Sequence, residues 1–398
     1  MTSITHDDAR RVLSDLIALP SVNPMGRPHE SAKPVEHEVA NYIHDLFAPF
    51  RVPMSRQGCG GVHENLLIEV PGRDTTQSRL MESHMDTVPA DDWPDRAFHP
   101  RYVNGRLIGR GACDDKGPLA AMILAVREIL LSGKQPPANV LLLAAGDEEY
   151  AQTGIKSFAA LGYPLENAVF GEATHMQPIL QHKGTIRWDI ITHGKSAHTS
   201  KRELGRNAIL DALKVIEELE RYEQRIQTCY QNNLMTGPRL TVTMIQGGRT
   251  RNAVPDECRF AVDYRVLPGM DPAEAREDVI LALEQTGIPI SHGPVQIMTP
   301  PLNTREEHGF SKTVLDICRA QTGQADMQFA GAPYGTDAAW VSNVAPAIVL
   351  GPGSIDCAHS VDEHIEVEDV VCCARIYHRI LMNESANGID LRSRPSSS

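Results

Sequence analysis

Val140-Leu141-Leu142-Leu143-Ala144-Ala145 is an apolar run with no polar interruption. Such a strand offers no face to water, so it belongs inside a sheet that is covered on both sides. The run stops abruptly at Gly146-Asp147-Glu148-Glu149. Two other apolar-leaning runs end the same way. Arg79–Ser83 leads into His84-Met85-Asp86, and Ala168-Val169-Phe170 leads into Gly171-Glu172-Ala173-Thr174. In an open α/β sheet, polar groups gathered at the carboxyl ends of strands mark the functional edge. The expected class is therefore α/β, with a mixed sheet flanked by helices.

The remaining elements fit around that sheet. Residues 5–19 and 34–48 carry apolar residues at helical spacing (Val12, Leu13, Leu16, Ile17; Val39, Tyr42, Ile43, Leu46). The Pro20–Pro24 stretch between them is a loop. Asn65–Val70 reads as a strand, and Val103–Ile108 as a short hairpin turning at Asn104-Gly105. A helix is expected from Pro118 to Leu131. From Leu180 the pattern changes to strands at 186–191, 240–245 and 258–265, with helices at 207–227 and 272–286. This predicts an inserted α+β domain. We place the first part of the main domain at 1–178, the insertion at 179–295 and the second part at 296–398, with hinges near 178–184 and 292–300. The second part holds helices at 310–322 and 367–382, a strand at 347–350, and an Arg-Ser-Arg-Pro-Ser-Ser-Ser tail expected to be disordered.

At 398 residues the chain is too long for one compact core. A net charge of −13 argues against nucleic-acid and anionic-membrane partners. No apolar run is long enough to span a bilayer, and MTSITHDDARRVL lacks a signal-peptide core. The 8 cysteines form no CxxC pairs, which suits a reduced cytoplasmic protein.

The strand ends offer His84, Asp114, Glu148, Glu149 and Glu172, and the later Ala358-His359-Ser360 adds a second imidazole. Mixed imidazole and carboxylate donors suit zinc, with cobalt or manganese as substitutes. Two cations sharing a bridging carboxylate, each with one His and one terminal carboxylate, would use five of these six groups. The sixth, a free carboxylate, would then serve as general base. Asp86, two residues beyond His84, shares its face in an extended chain and would hydrogen-bond the imidazole to fix its tautomer.

Five segments occur in order: His84-x-Asp86-x-Val88-Pro89, Gly109-Arg110-Gly111-x-x-Asp114-x-Lys116-Gly117, Asp147-Glu148-Glu149, Gly171-Glu172-x-Thr174 and Ala358-His359-x-x-Asp362-Glu363. Together they resemble the dimetal deacylase and carboxypeptidase family that includes acetylornithine deacetylase, succinyl-diaminopimelate desuccinylase, aminoacylase and glutamate carboxypeptidase. The resemblance implies that His84, Asp114, Glu149, Glu172 and His359 hold two metal ions, with Asp114 bridging. It makes Glu148 the base and Asp86 the orienting residue, and it leads us to expect a cis Asp114–Asp115 peptide. The insertion resembles the family's lid and dimerisation domain, so a homodimer is implied. His198, in Gly194-Lys195-Ser196-Ala197-His198, would reach the partner's site and steady an oxyanion. Asn252 and Arg265 would hold the substrate carboxylate. Tyr334-Gly335-Thr336-Asp337-Ala338 looks most like the acetylornithine deacetylase subgroup.

The function these residues imply is hydrolysis of the amide bond of N-acyl amino acids. A carboxypeptidase or dipeptidase on the same machinery is the alternative enzyme. A catalytically silent metal- or amino-acid-binding module is the alternative of another class, and it predicts a missing base or ligand. Glu363 and Cys113 have quieter readings, as a supporting hydrogen-bond acceptor and a small filler.

Overall fold

The computed structural model describes residues 4–91 and 93–384, so the Arg/Ser-rich tail lies outside the described residues. The chain divides into two compact units. The first comprises the described residues up to Leu180, Thr304–Ala330 and those from Thr336 onward; the second comprises Gln181–Asn303 and Gly331–Gly335.

The first unit is built on a mixed sheet whose strands run in the order Met54–Cys59, His63–Val70, Ala138–Ala145, Asp74–His84, Leu165–Phe170, Ala347–Val349. The last four are parallel to one another, and the first two are antiparallel additions at one side. Register places His84 opposite Ala145 and Glu82 opposite Phe170, so the three polar strand ends emerge at one edge. Val140, Leu142 and Ala144 enter a core shared with the helices His6–Ile17, Lys116–Ser132 and Val367–Met382, while Leu141 and Leu143 are buried as well. The helix Lys116–Ser132 is buried almost all round, as its GPLAAMILAV sequence requires. It stops at Gly133, whose φ of 65° closes the last turn.

A small antiparallel sheet of Arg101–Val103, Arg106–Ile108 and His364–Glu366 leads into the Gly109 loop. Its hairpin turns at Asn104-Gly105, both with positive φ, as the expected turn demands.

The second unit is an antiparallel sheet in the order Arg239–Gly247, Glu257–Val266, Gly184–His193, Ile290–Thr299. Alternate residues Ile186, Trp188 and Ile190, with Phe260, Val262 and Tyr264, bury one face against the helices Ala208–Cys229 and Pro272–Glu284. Asn207 and Asp271 cap those helices, each accepting two backbone N–H bonds. The stretches expected as hinges are mostly extended: Ile179–His182, Gly184–His193 and Ile290–Thr299 are strands. No helix among the described residues is long and apolar enough to cross a membrane.

Candidate metal centre

The polar sheet edge of the first unit gathers every ligand candidate. His84 closes its strand with Nε2 at 3.1 Å from Asp114 Oδ1. Its Nδ1 lies 2.9 Å from the main-chain carbonyl of Asp86 and 3.5 Å from the Asp86 carboxylate. The carbonyl, more than the carboxylate, therefore orients the ring. The Asp86 carboxylate is turned to the next corner instead. It accepts the backbone N–H groups of Glu148 (3.2 Å) and Glu149 (3.3 Å) and the Asn23 amide (2.8 Å).

Asp114 sits in the loop between Gly109 and the helix starting at Lys116, and its bond to Asp115 is cis. Fully buried Glu363 holds this loop from behind. One oxygen accepts the Cys113 and Asp114 N–H groups at 3.1 and 3.2 Å, and the other takes the Arg110 guanidinium at 2.7 Å. That is the supporting role read from the sequence. Cys113 is buried beside it, its thiol pushed up by burial and the Glu363 charge.

His359 reaches the other face of the Asp114 carboxylate, with Nε2 at 3.2 Å from Oδ2 and 3.5 Å from Glu149 Oε1. It has a φ of 58°, unusual for a non-glycine residue, and its side chain remains 53% exposed. Asp114 thus divides its two oxygens between two imidazoles. Two donors on one tetrahedral ion with bonds of about 2.0–2.1 Å lie roughly 3.3 Å apart, so both contacts suit a bridging carboxylate. Ligand atoms of His84, Asp114 and Glu149 lie within 4.8 Å of one another, as do those of His84, Glu148 and Glu172.

The electrostatics also fit cations. Burial pushes Glu148, Glu172 and Asp115 well above their ordinary values and also raises Glu149, and the Asp114 charge adds to each. His359 is pushed up to about 10 by Asp114 and then Glu149. Burial opposes a charge on His84, but its contacts with Asp114 and Asp86 outweigh it. Protons thus stabilise this crowd of carboxylates, and divalent ions would replace them. The donor set fits two such ions.

His198, Asn252 and Arg265 all lie in the second unit. His198 is exposed, with Nδ1 at 2.8 Å from Ser200 Oγ. An isolated bridge from His198 to Ala253 sets Asn252 beside it, and the Asn252 carbonyl accepts the Thr199 N–H. Arg265 stands near the far end of the strand Glu257–Val266. There it binds Asp263 through Nε (2.6 Å) and Thr185 through a terminal nitrogen (3.0 Å).

Sequence reasoning missed several contributors. Asn23 lay in a stretch read only as a loop, yet it joins Asp86 to Asp147. His63, between Glu36 (2.7 Å) and Asp147 (3.4 Å), extends that network. Glu82 and Asp337 are buried carboxyls near the site, and burial raises both. A charged residue inside the apolar strand 79–84 was the available signal for Glu82. For Asp337 there was none beyond its loop's resemblance.

The profile described as "Peptidase family M20/M25/M40" matches residues 80–383. An acetylornithine deacetylase from Myxococcus xanthus is 30% identical over 334 residues, covering 80% of this chain and 84% of the relative. An M20 family metallo-carboxypeptidase from Sulfolobus solfataricus has a similar structure, with a TM-score of 0.75 and 18% identity over 94% of this chain and 98% of that one. The YXEP protein of Bacillus subtilis, described as a dinuclear metal binding peptidase, superposes with a TM-score of 0.66 at 14% identity, over 95% of this chain and 98% of that one.

Proposed function

Because this chain belongs to peptidase family M20/M25/M40, whose members are metallohydrolases acting on amide bonds, we propose that it removes the acyl group from N-acyl amino acids in the manner of an acetylornithine deacetylase. The observation that carries this reading is the division of the Asp114 carboxylate between His84 and His359, with Glu148 at the same sheet edge. His84, Asp114, Glu149, Glu172 and His359 would hold two divalent ions, for which zinc suits the donors best. When bound, such ions polarise the scissile carbonyl and acidify the attacking water.

This chain's own groups supply the rest. Glu148 takes the proton from the attacking water and hands it to the leaving nitrogen. Asp86 holds the Glu148-Glu149 corner through its two backbone acceptances. His198 steadies the oxyanion, and Arg265 with Asn252 binds the substrate carboxylate. The Arg265 guanidinium keeps N–H donors beyond those spent on Asp263 and Thr185.

Arg265 lies near the end of the strand Glu257–Val266 and the His198–Asn252 pair lies before its start, so the strand from Glu257 to Arg265 alone sets them roughly 25 Å apart at about 3.3 Å per residue. One small substrate is not reached by both from a single subunit, which supports a homodimer with His198 and Asn252 supplied by the partner. Leu204, Leu210, Leu213, Met244 and Ile245 of the second unit are exposed apolar residues available for such contact. Sedimentation of the full chain is expected to give a dimer; a monomer with full activity would exclude cross-subunit supply.

The deciding experiment is amine release by zinc-loaded protein across N-acyl amino acids and short peptides, with Glu148→Gln beside it. We expect turnover of one N-acyl class, reduced at least about 100-fold by the substitution. Preference for unblocked dipeptides would move the assignment to a dipeptidase. Absence of any Glu148-dependent turnover with metal bound would favour a silent binding module.

A further inference from the structure

We infer that Gln152, held by the indole of Trp340, is a positioning residue for the Glu148 carboxylate; the inference rests on the assignment of Glu148 as base. None of the sequence motifs includes either residue. Gln152 follows Glu148 by one turn of a tight corner, where its N–H bonds the Asp147 carbonyl at 2.6 Å and its φ of 54° is left-handed. Its side chain is buried, and both ends of the amide are engaged. Oε1 accepts the Trp340 indole N–H at 2.9 Å, and Nε2 donates to Glu148 Oε1 at 3.2 Å.

The direction of this chain of bonds is forced. An indole nitrogen only donates, so the amide oxygen must face Trp340 and the NH2 group must face Glu148. With the amide reversed, two N–H groups would collide at Trp340 and two acceptors at Glu148. Trp340 is in turn pinned. It ends the 3-10 turn Asp337–Trp340, which Thr336 caps, and Lys156 Nζ lies over its ring at 4.4 Å while donating to the Ala151 carbonyl at 2.8 Å. A rigid aromatic group thus orients a neutral donor, which fixes one oxygen of the carboxylate and leaves the other for the water proton.

A bland account is available, in which Gln152 merely satisfies a half-buried indole. It explains one end of the amide and not the other. The two accounts diverge in how the residues couple. If Trp340 acts only through Gln152, its effect on turnover vanishes once the amide is gone.

The test uses the zinc-loaded full chain with its best N-acyl substrate. Gln152→Met keeps the bulk and removes both bonds; Trp340→Phe keeps the ring and removes the donor. Gln152→Met is expected to lower kcat on the order of tenfold, with KM and zinc content unchanged. Trp340→Phe should lower kcat by less, and the double variant should be no slower than Gln152→Met. Of the 3 tryptophan indole signals in a 15N-labelled sample, the one lost in Trp340→Phe should move in Gln152→Met. Single effects that multiply in the double variant, an indole signal that stays put, or an unchanged kcat in Gln152→Met while Glu148→Gln is inactive would each overturn the inference. A wild-type protein without Glu148-dependent turnover would overturn the base assignment and this role with it.

Discussion

Glu363 and Asp337 are both buried acids near the centre, yet their surroundings differ. Glu363 has the Arg110 guanidinium and two backbone N–H groups for its oxygens, and so holds the Asp114 loop in place. Glu363→Gln removes the partner of a buried cation and should destabilise the chain by about 3 kcal/mol. Urea unfolding checks the loss, and zinc per chain should fall as well; normal values of both would leave Glu363 without this role. Among the described residues neither Asp337 oxygen has a hydrogen-bond partner, and burial pushes it up to about 8, with His84 opposing and Asp86 and Asp147 adding. Its folded pKa exceeds its unfolded one, so the folded protein binds more protons between about pH 4 and pH 8. Its favourable share of stability is complete below that window and is lost as pH rises through it. Thermal midpoints of metal-free protein should therefore fall from pH 5 to pH 8 more steeply than those of Asp337→Asn; parallel profiles would show that Asp337 does not titrate there. Glu363 was legible because it follows His359 within one motif. Asp337 was not, since its proximity to His84 arises from packing alone.

At the level of elements, the corner from Gly146 to Gly154 carries the most chemistry in the fewest residues. A Cβ on Gly154 would lie 2.2 Å from the Gly146 carbonyl oxygen and 2.6 Å from Asn65 Oδ1. Gly154→Ala should therefore force the corner open, costing about 1–3 kcal/mol, and lower zinc content in zinc-loaded protein because Glu149, a proposed ligand, moves with it. Retained stability and metal would mean that the corner yields without shifting its ligands. Elements with strong patterns were readable: the strand around Val140–Ala145, the helix Val367–Met382 and the Asn104-Gly105 hairpin all lie where periodicity and turn chemistry put them. Several strands were not, among them Met54–Cys59, Ile179–His182, Ile290–Thr299 and His364–Glu366. Met54–Cys59 is a mostly polar addition at the edge of the sheet, with little apolar alternation to reveal it. Ile290–Thr299 contains Gly293-Pro294 and two register shifts against its neighbour, so its local sequence reads as a break.

At the scale of the molecule, each unit has its own apolar core, and every candidate ligand belongs to the first. Metal that binds only the folded first unit stabilises it by about 2.7 kcal/mol per site when free metal is 100 times its Kd. Calorimetry should thus show two transitions, with chelator lowering one and leaving the other in place. A chelator shift of both transitions would mean that the units unfold together. The division of information follows the same lines. The sequence alone determined the fold class and the identity of the ligand candidates, because both depend on short patterns: apolar runs that must be buried, polar groups at the ends of those runs, and the loop motifs that carry Asp114 and His359. Tertiary structure alone decided which atoms meet. That the Asp86 carboxylate serves the Glu148 corner more than the His84 ring, that Asp114 splits its oxygens between His84 and His359, and that Trp340 fixes Gln152 are pairings across long stretches of chain. Hydrogen bonds have angstrom reach, and only strand order and loop packing bring such distant residues within it.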